Sequence, residues 1–316
     1  MRRIVWVLAV ALVGVCSVGV ATQQQPAGAN LSWAFPDRVE REFPADATPK
    51  TVPGSTRKYT QAQIDDLLNP PDWFPDQHPT PPQAIVKGRG GAMACGACHL
   101  MSGLGHPESS DLTGLTLPYI VQQMLDFKSG VRKDPTGKRM NGIAMEATDQ
   151  EVHQAAEYFA ALPRRPFQKV IEADMVPKTY LGNGRMRYLE PAGGMEPIAG
   201  RIITVPEDLA RVRLRDPYSG FVSYAPVGSL ARGKALVETG GGRTIACGIC
   251  HGQDLKGQAS IPRLAGMHPI YTARQLYWFK DGTRNGVDAA LMKPWVAQLT
   301  NDDIVAISAY LASLAP

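Results

Sequence analysis

Cys95-Gly96-Ala97-Cys98-His99 and Cys247-Gly248-Ile249-Cys250-His251 are two copies of one five-residue pattern, set 152 residues apart. In each, two cysteines three apart face the same side of one helical turn. Their sulfurs can form thioethers with the two vinyl groups of one porphyrin, and the adjacent histidine then sets an imidazole under the iron. The competing readings are a zinc site and a redox dithiol. A zinc site wants four ligands gathered from paired motifs, and these motifs lie in two repeats behind an export-like leader. They therefore read as two c-type haem attachment sites, with Cys95, Cys98, Cys247 and Cys250 as covalent anchors and His99 and His251 as iron ligands.

The step of 152 extends well beyond the motifs. Laid over itself at that offset, the sequence matches without a gap: Gly88 on Gly240, Ala94 on Ala246, Leu112 on Leu264, Tyr119 on Tyr271, Gln123 on Gln275, Phe127-Lys128 on Phe279-Lys280, Arg132 on Arg284, Thr148 on Thr300 and Leu162 on Leu314. Residues 84–163 and 236–316 thus read as two copies of one small, mainly helical domain. The motif predicts a short first helix in each copy. Tyr119–Lys128 and Tyr271–Lys280 predict a second, ended by Gly130 and Gly282. Thr148-Asp149-Gln150-Glu151 and Thr300-Asn301-Asp302-Asp303 predict the capped start of the last helix.

The repeat also selects the sixth ligand of each iron. Of eleven methionines, Met140 and Met292 are the only two that the step connects. A single methionine is most simply core filler, but this pair reads as axial. Met145 falls opposite Ala297. The remaining histidines fail the same test: His106 pairs with Gln258, His153 with Val305 and His268 with Thr116, while His78 precedes the first copy. They read as surface or structural histidines. Methionine opposite histidine raises the reduction potential and fills both axial positions, which points to outer-sphere passage of single electrons.

Arg2 and Arg3 precede an apolar run from Ile4 to Val20, followed by small-residue cleavage candidates. Residues 1–29 read as a signal peptide or a retained N-terminal membrane anchor, which implies a periplasmic location, soluble or tethered to the inner membrane. With Cys16 in that leader, four cysteines remain and both motifs consume them, leaving none for disulfides. The net charge of +4 is unclustered, which gives no footprint for nucleic acid. Residues 30–83, rich in proline and tryptophan, predict an ordered arm over the first copy with one helix near Thr60–Leu68. Residues 164–235 predict a linker with β-like runs at Lys169–Glu172, Arg201–Val205 and Phe221–Tyr224.

The repeats resemble the class I cytochromes c, and their pairing resembles the cytochrome c4 family of dihaem cytochromes. The second copy carries Cys250-His251-Gly252, Pro262-x-Leu264-Ala265-Gly266, Gly282-x-Arg284, Leu291-Met292 and Thr300-Asn301-Asp302-Asp303-Ile304. The first departs from this: Leu100 replaces the glycine after the haem histidine, and Leu112-Thr113-Gly114 replaces Leu-Ala-Gly. The resemblance implies two tandem cytochrome c domains, each with covalent haem c, joined here by a long irregular linker with some β structure. It places Met140 and Met292 on the axial methionine, Arg132 and Arg284 near a haem propionate, and Tyr119 and Tyr271 in the haem pocket. It implies an electron carrier rather than an enzyme, taking electrons from a dehydrogenase or quinol-oxidising complex and giving them to a terminal oxidase or reductase. The alternatives are a haem subunit of a membrane-bound dehydrogenase complex, or a dihaem redox enzyme such as a peroxidase or thiosulfate-oxidising cytochrome.

Overall fold

The computed structural model describes residues 31–316 except 37–38, 44–45 and 136–138, so the expected leader or anchor lies outside the described residues. Among the described residues, no helix is long and apolar enough to cross a membrane. Helix α1 (Gln61–Ile64) lies in the arm. The first copy then contributes α2 (Gln83–Val86), α3 (Gly96–His99), α4 (Leu117–Ser129), α5 (Arg139–Glu146) and α6 (Asp149–Ala161). The linker forms strands β1 (Gln168–Glu172), β2 (Met175–Pro177), β3 (Thr179–Leu181), β4 (Arg187–Leu189), β5 (Met195–Pro197) and β6 (Ile203–Pro206). Helix α7 (Leu209–Arg213) and strand β7 (Phe221–Ala225) complete it. The second copy contributes α8 (Ser229–Thr239), α9 (Gly248–His251), α10 (Pro269–Asp281), α11 (Ala289–Val296) and α12 (Asn301–Ser313).

Helices α3, α4 and α6 have the same bounds as α9, α10 and α12 after the 152-residue shift. Local chemistry explains the match. Glycines 130 and 282 end α4 and α10 with φ of 78° and 81°, a left-handed turn in which any side chain is strained. Thr148 and Thr300 form the expected capping boxes with Glu151 and Asp303, satisfying amides that a helix start leaves free. The short helices α5 and α11, which carry Met140 and Met292, were not foreseen.

The copies differ most at their N-terminal ends. The boundary expected between 235 and 236 falls inside α8. In the first copy Pro79, Pro81 and Pro82 occupy the matching stretch, and proline blocks helix there, so the repeat leaves no trace of the first turns of α8. Helix α8 crosses α12 so closely that a Cβ on Gly233 would collide with Ala306 O and Tyr310.

Strands β1, β7 and β6 join in one sheet, β1–β7 parallel and β7–β6 antiparallel, so the three predicted β runs meet. The pairs β2–β5 and β3–β4 lie outside that sheet. The arm helix is shorter than expected because Asp66 accepts the Leu68 amide and turns the chain. The arm touches the first copy, where Gly88 and Ala94 donate to Leu68 O and Leu67 O. It also reaches the second, where Trp33 and Ala34 enter a core formed by Leu236, Ala273, Leu276, Ile304 and Leu311. Arm, copies and linker pack as one compact unit from Leu31 to Pro316.

Candidate functional site

Helix α9 presents Cys247, Cys250 and His251 to a largely apolar cavity between α10, α11 and α12. Its empty volume is about 1380 Å³, counting the part open to solvent. Met292, from α11, lines the same cavity, as do Leu264 and Phe279. The structure thus brings together the four residues predicted for the second site. His251 is buried, and its Nδ1 lies 2.7 Å from Pro262 O. In the first site His99 is equally buried, with Nδ1 2.8 Å from Ser110 O. Pro262 and Ser110 are themselves one repeat step apart. In both, Nδ1 donates to a backbone carbonyl, which leaves Nε2 as the bare acceptor nitrogen and fixes the ring plane, as metal-bound histidines require.

The electrostatics of the cysteines differ from those of a redox dithiol. Burial pushes the Cys95 thiol up to about 12 and that of Cys247 up to about 11, opposite to the lowered value of a reactive dithiol. Among the described residues, no group of three or more His, Cys, Asp or Glu is placed to hold a metal ion. Met140 sits half-buried at the second position of α5, its amide 3.3 Å from Asp134 Oδ2. Its competitor Met145 is 64% exposed. His268 is fully buried between Phe167 and Phe221, His153 bonds the Asp149 carbonyl on its own helix, and His78 bonds Asp72.

The residues expected beside the propionates form a cluster that joins the two copies. The Arg132 guanidinium donates to Gln123 Oε1 (2.6 Å) and, across the interface, to Gln275 Oε1 (2.9 Å) and Tyr271 Oη (3.5 Å). The Arg284 guanidinium donates to Gln275 Oε1 (3.0 Å) and, across the interface, to Gln123 Oε1 and Tyr119 Oη, both 2.9 Å. Each guanidinium lies 4.4 Å above a phenyl ring of its own copy, Phe127 or Phe279. Backbone bonds Lys133 N to Thr283 O and Asn285 N to Val131 O lock the two loops together. Two buried cations whose hydrogen-bond acceptors are amide and phenol oxygens are costly. Arg132 Nε and Gln275 Nε2 are also buried without an acceptor, and Tyr119, Gln123, Tyr271, Gln275 and Arg284 all face the haem-sized cavity. The buried Asp126 carboxylate lines the same cavity and its charge acts on Arg132, and haem carboxylates also fit this donor set. Gln123 and Gln275 recur in the repeat, but nothing local in the sequence assigns them to this cluster.

A second buried link was also missed. Arg263 and Asp111, again one repeat step apart, form an ion pair with both side chains fully buried. Arg263 further donates to Thr113 O at 2.9 Å and Ala265 O at 2.7 Å. Asp111 follows the carbonyl that holds His99, and Arg263 follows the one that holds His251. The pair therefore ties together the two loops that orient the histidines.

A family model described as Cytochrome c matches residues 230–315. Cytochrome c4 of Pseudomonas aeruginosa is 29% identical over 235 residues, covering 72% of this chain and 87% of that one. Cytochrome c-554(548) of Halomonas halodenitrificans is 41% identical over 68 residues, 21% of this chain and 82% of that one. A protein named Thiosulfate dehydrogenase electron acceptor, from Stutzerimonas stutzeri, is 25% identical over 226 residues, 71% of this chain and 80% of that one. With two haem-attachment motifs in a chain that matches cytochrome c4 over most of its length, this protein belongs to the cytochrome c family as a dihaem class I c-type cytochrome similar to cytochrome c4, with covalently bound haem c as its cofactor.

Proposed function

We propose that the chain is a periplasmic carrier of single electrons. Cys95 and Cys98 anchor one haem, whose iron takes His99 and Met140. Cys247 and Cys250 anchor the other, whose iron takes His251 and Met292. The bound haem supplies a reversible one-electron iron couple. The protein holds the imidazoles through Ser110 O and Pro262 O, excludes water with apolar walls, and offers the Arg132 and Arg284 cluster to the propionates. The observation that carries the reading is the repetition of the histidine-to-carbonyl bond at equivalent positions. Met140 and Met292 as second protein ligands would leave the iron of each bound haem closed to substrate, which favours transfer over catalysis.

The donor on this reading is a dehydrogenase or quinol-oxidising complex, and the acceptor a terminal oxidase or reductase. The likeness to a thiosulfate dehydrogenase electron acceptor supports a narrower second reading, in which the donor is a thiosulfate-oxidising enzyme. Reduction of the protein by such an enzyme on adding thiosulfate, and not by thiosulfate alone, is its test.

A redox titration of wild type beside Met140→Ala and Met292→Ala tests the axial assignment. Each variant should lose the methionine-to-iron charge-transfer band of one haem and lower that haem's potential while the other stays unchanged. Unchanged bands and potentials in both variants would show the assignment to be wrong.

A further inference from the structure

We propose that Arg215 sets the electron balance between the two haems: its guanidinium raises the reduction potential of the first haem and so draws a single electron toward that site. The inference rests on the haem reading above and concerns a segment outside the repeat. Arg215 belongs to the linker and donates to Ala97 O, a carbonyl between the two cysteines of the first motif. Ala97 is 2% exposed beneath it, whereas its counterpart Ile249 is 62% exposed and meets water. One motif thus has a fixed cation against its backbone, and the other has solvent at the same position. The backbone shows that this cation is held in place against a cost. Arg215 follows the end of α7 with φ of 54°, the left-handed turn that glycine fills after α4 and α10. An arginine in that turn is strained. Its neighbours pin it there. The Arg215 amide donates to Val212 O at 2.9 Å, Trp73 Nε1 donates to Leu214 O at 2.7 Å, and Val212 is buried in a cluster with Tyr188 and Phe221.

Burial pulls the Arg215 guanidinium below its ordinary value, yet a guanidinium keeps its proton at every pH a folded protein withstands. Nearby anions offset its charge little. Asp216, the next residue, is spent on Arg211 at 2.6 Å. Asp65, whose charge reaches Arg215, is exposed and so screened by water and salt. At Cys98 the charge of Arg215 arrives together with that of Arg139, while Asp134 opposes them. Oxidation adds one positive charge to a haem. A fixed cation beside the attachment site therefore disfavours the oxidised form and favours the reduced one, more strongly the less water lies between. The effect falls on the first haem, because the guanidinium stands against that motif.

The experiment is a spectroscopic redox titration of the dihaem protein, in which the first haem is the one whose potential falls in Met140→Ala. Arg215→Met keeps an apolar cover of similar length without the charge. It should shift the partition of one electron about fivefold toward the second haem, a fall of roughly 40 mV at the first for a one-electron couple. The potential of the second haem should stay where it is. Arg215→Lys, which keeps the charge, should keep most of the wild-type value. Arg215→Gly removes the charge and relieves the left-handed turn, so it should fold at least as well as wild type and still lower the first potential. It carries the test if Arg215→Met does not fold. An unmoved first potential in the charge-free variants, an equal fall in Arg215→Lys, or equal falls at both haems overturns the proposal. A wild type lacking either haem in its spectrum would instead sink the haem reading. A Met140→Ala that moves neither potential would sink the axial assignment alone, and a fall at one haem only in Arg215→Met would still decide for Arg215.

Discussion

The two copies share helix bounds, caps and histidine anchors, yet one haem motif is enclosed and the other is open. Gly96 and Ala97 are buried, whereas Gly248 is half-buried and Ile249 exposed. After the histidine the backbone takes the same turn in both, with φ of 61° at Leu100 and 83° at Gly252. That region belongs to glycine, and a leucine there stores strain of about 1–3 kcal/mol. Leu100 lines one small cavity with Trp73 of the arm and Arg215 of the linker. The difference teaches that the repeat conserves what grips a haem, while the segments outside the repeat decide what reaches it.

The largest test of the comparison is at Arg263 and Asp111, where equivalent positions have diverged to opposite charges and meet. Arg263→Met leaves Asp111 buried with no cation and should lower stability by about 3–5 kcal/mol in denaturant unfolding of the haem-loaded protein. The double variant Asp111→Leu/Arg263→Met should recover most of that loss. A single variant as stable as wild type would mean that the pair does not hold the copies together.

Next comes a matched pair inside the motifs. A Cβ at position 96 would meet Ile85 O at 2.8 Å and Met101 Sδ at 3.1 Å, whereas at 248 the nearest atom is Gln253 Cα at 3.6 Å. Gly96→Ala should therefore cost about 1–3 kcal/mol through overpacking. Gly248→Ala should stay within about 0.5 kcal/mol of wild type. Equal costs at both positions, by thermal or denaturant unfolding, would mean that the two motifs are equally enclosed.

What was legible in the sequence follows the same division. Haem attachment, the caps and the step of 152 depend on residues close together in the chain, so the sequence displays them directly. The helices around Met140 and Met292 were hidden because Gly142 and Pro294 interrupt their pattern, and neighbouring packing supplies what propensity lacks. The arginine cluster was half legible. Arg132 and Arg284 recur in the repeat, but their bonds cross from copy to copy, and a repeat cannot say whether Tyr119 serves its own arginine or the other. Here Tyr119 serves Arg284. The cover over Ala97 was the least legible feature. It comes from Arg215, in a segment with no counterpart in the other copy and no periodic pattern to foretell where it packs.

The smallest effect sharpens the comparison at the last helices. Thr148→Ala and Thr300→Ala each remove a capping hydroxyl and should cost about 1 kcal/mol at neutral pH. The carboxylates opposite these threonines sit differently. Glu151 is held below its usual range by the Thr148 amide, with Thr148 Oγ1 and the exposed Arg89 beside it. Burial pushes Asp303 up, but the Thr300 amide and Arg232 outweigh it and hold it below its usual range. Both are depressed in the folded state, so the unfolded chain binds protons first. Their stabilisation is complete above the ordinary carboxylate range and fades as the pH falls through the folded values, below about 4. The gap between wild type and each threonine variant should therefore narrow on acidification. Thr300→Ala should show the larger gap at neutral pH, because its partner carboxylate is buried and also carries Arg232. A gap that widens at low pH would mean that the hydroxyls act without their carboxylates.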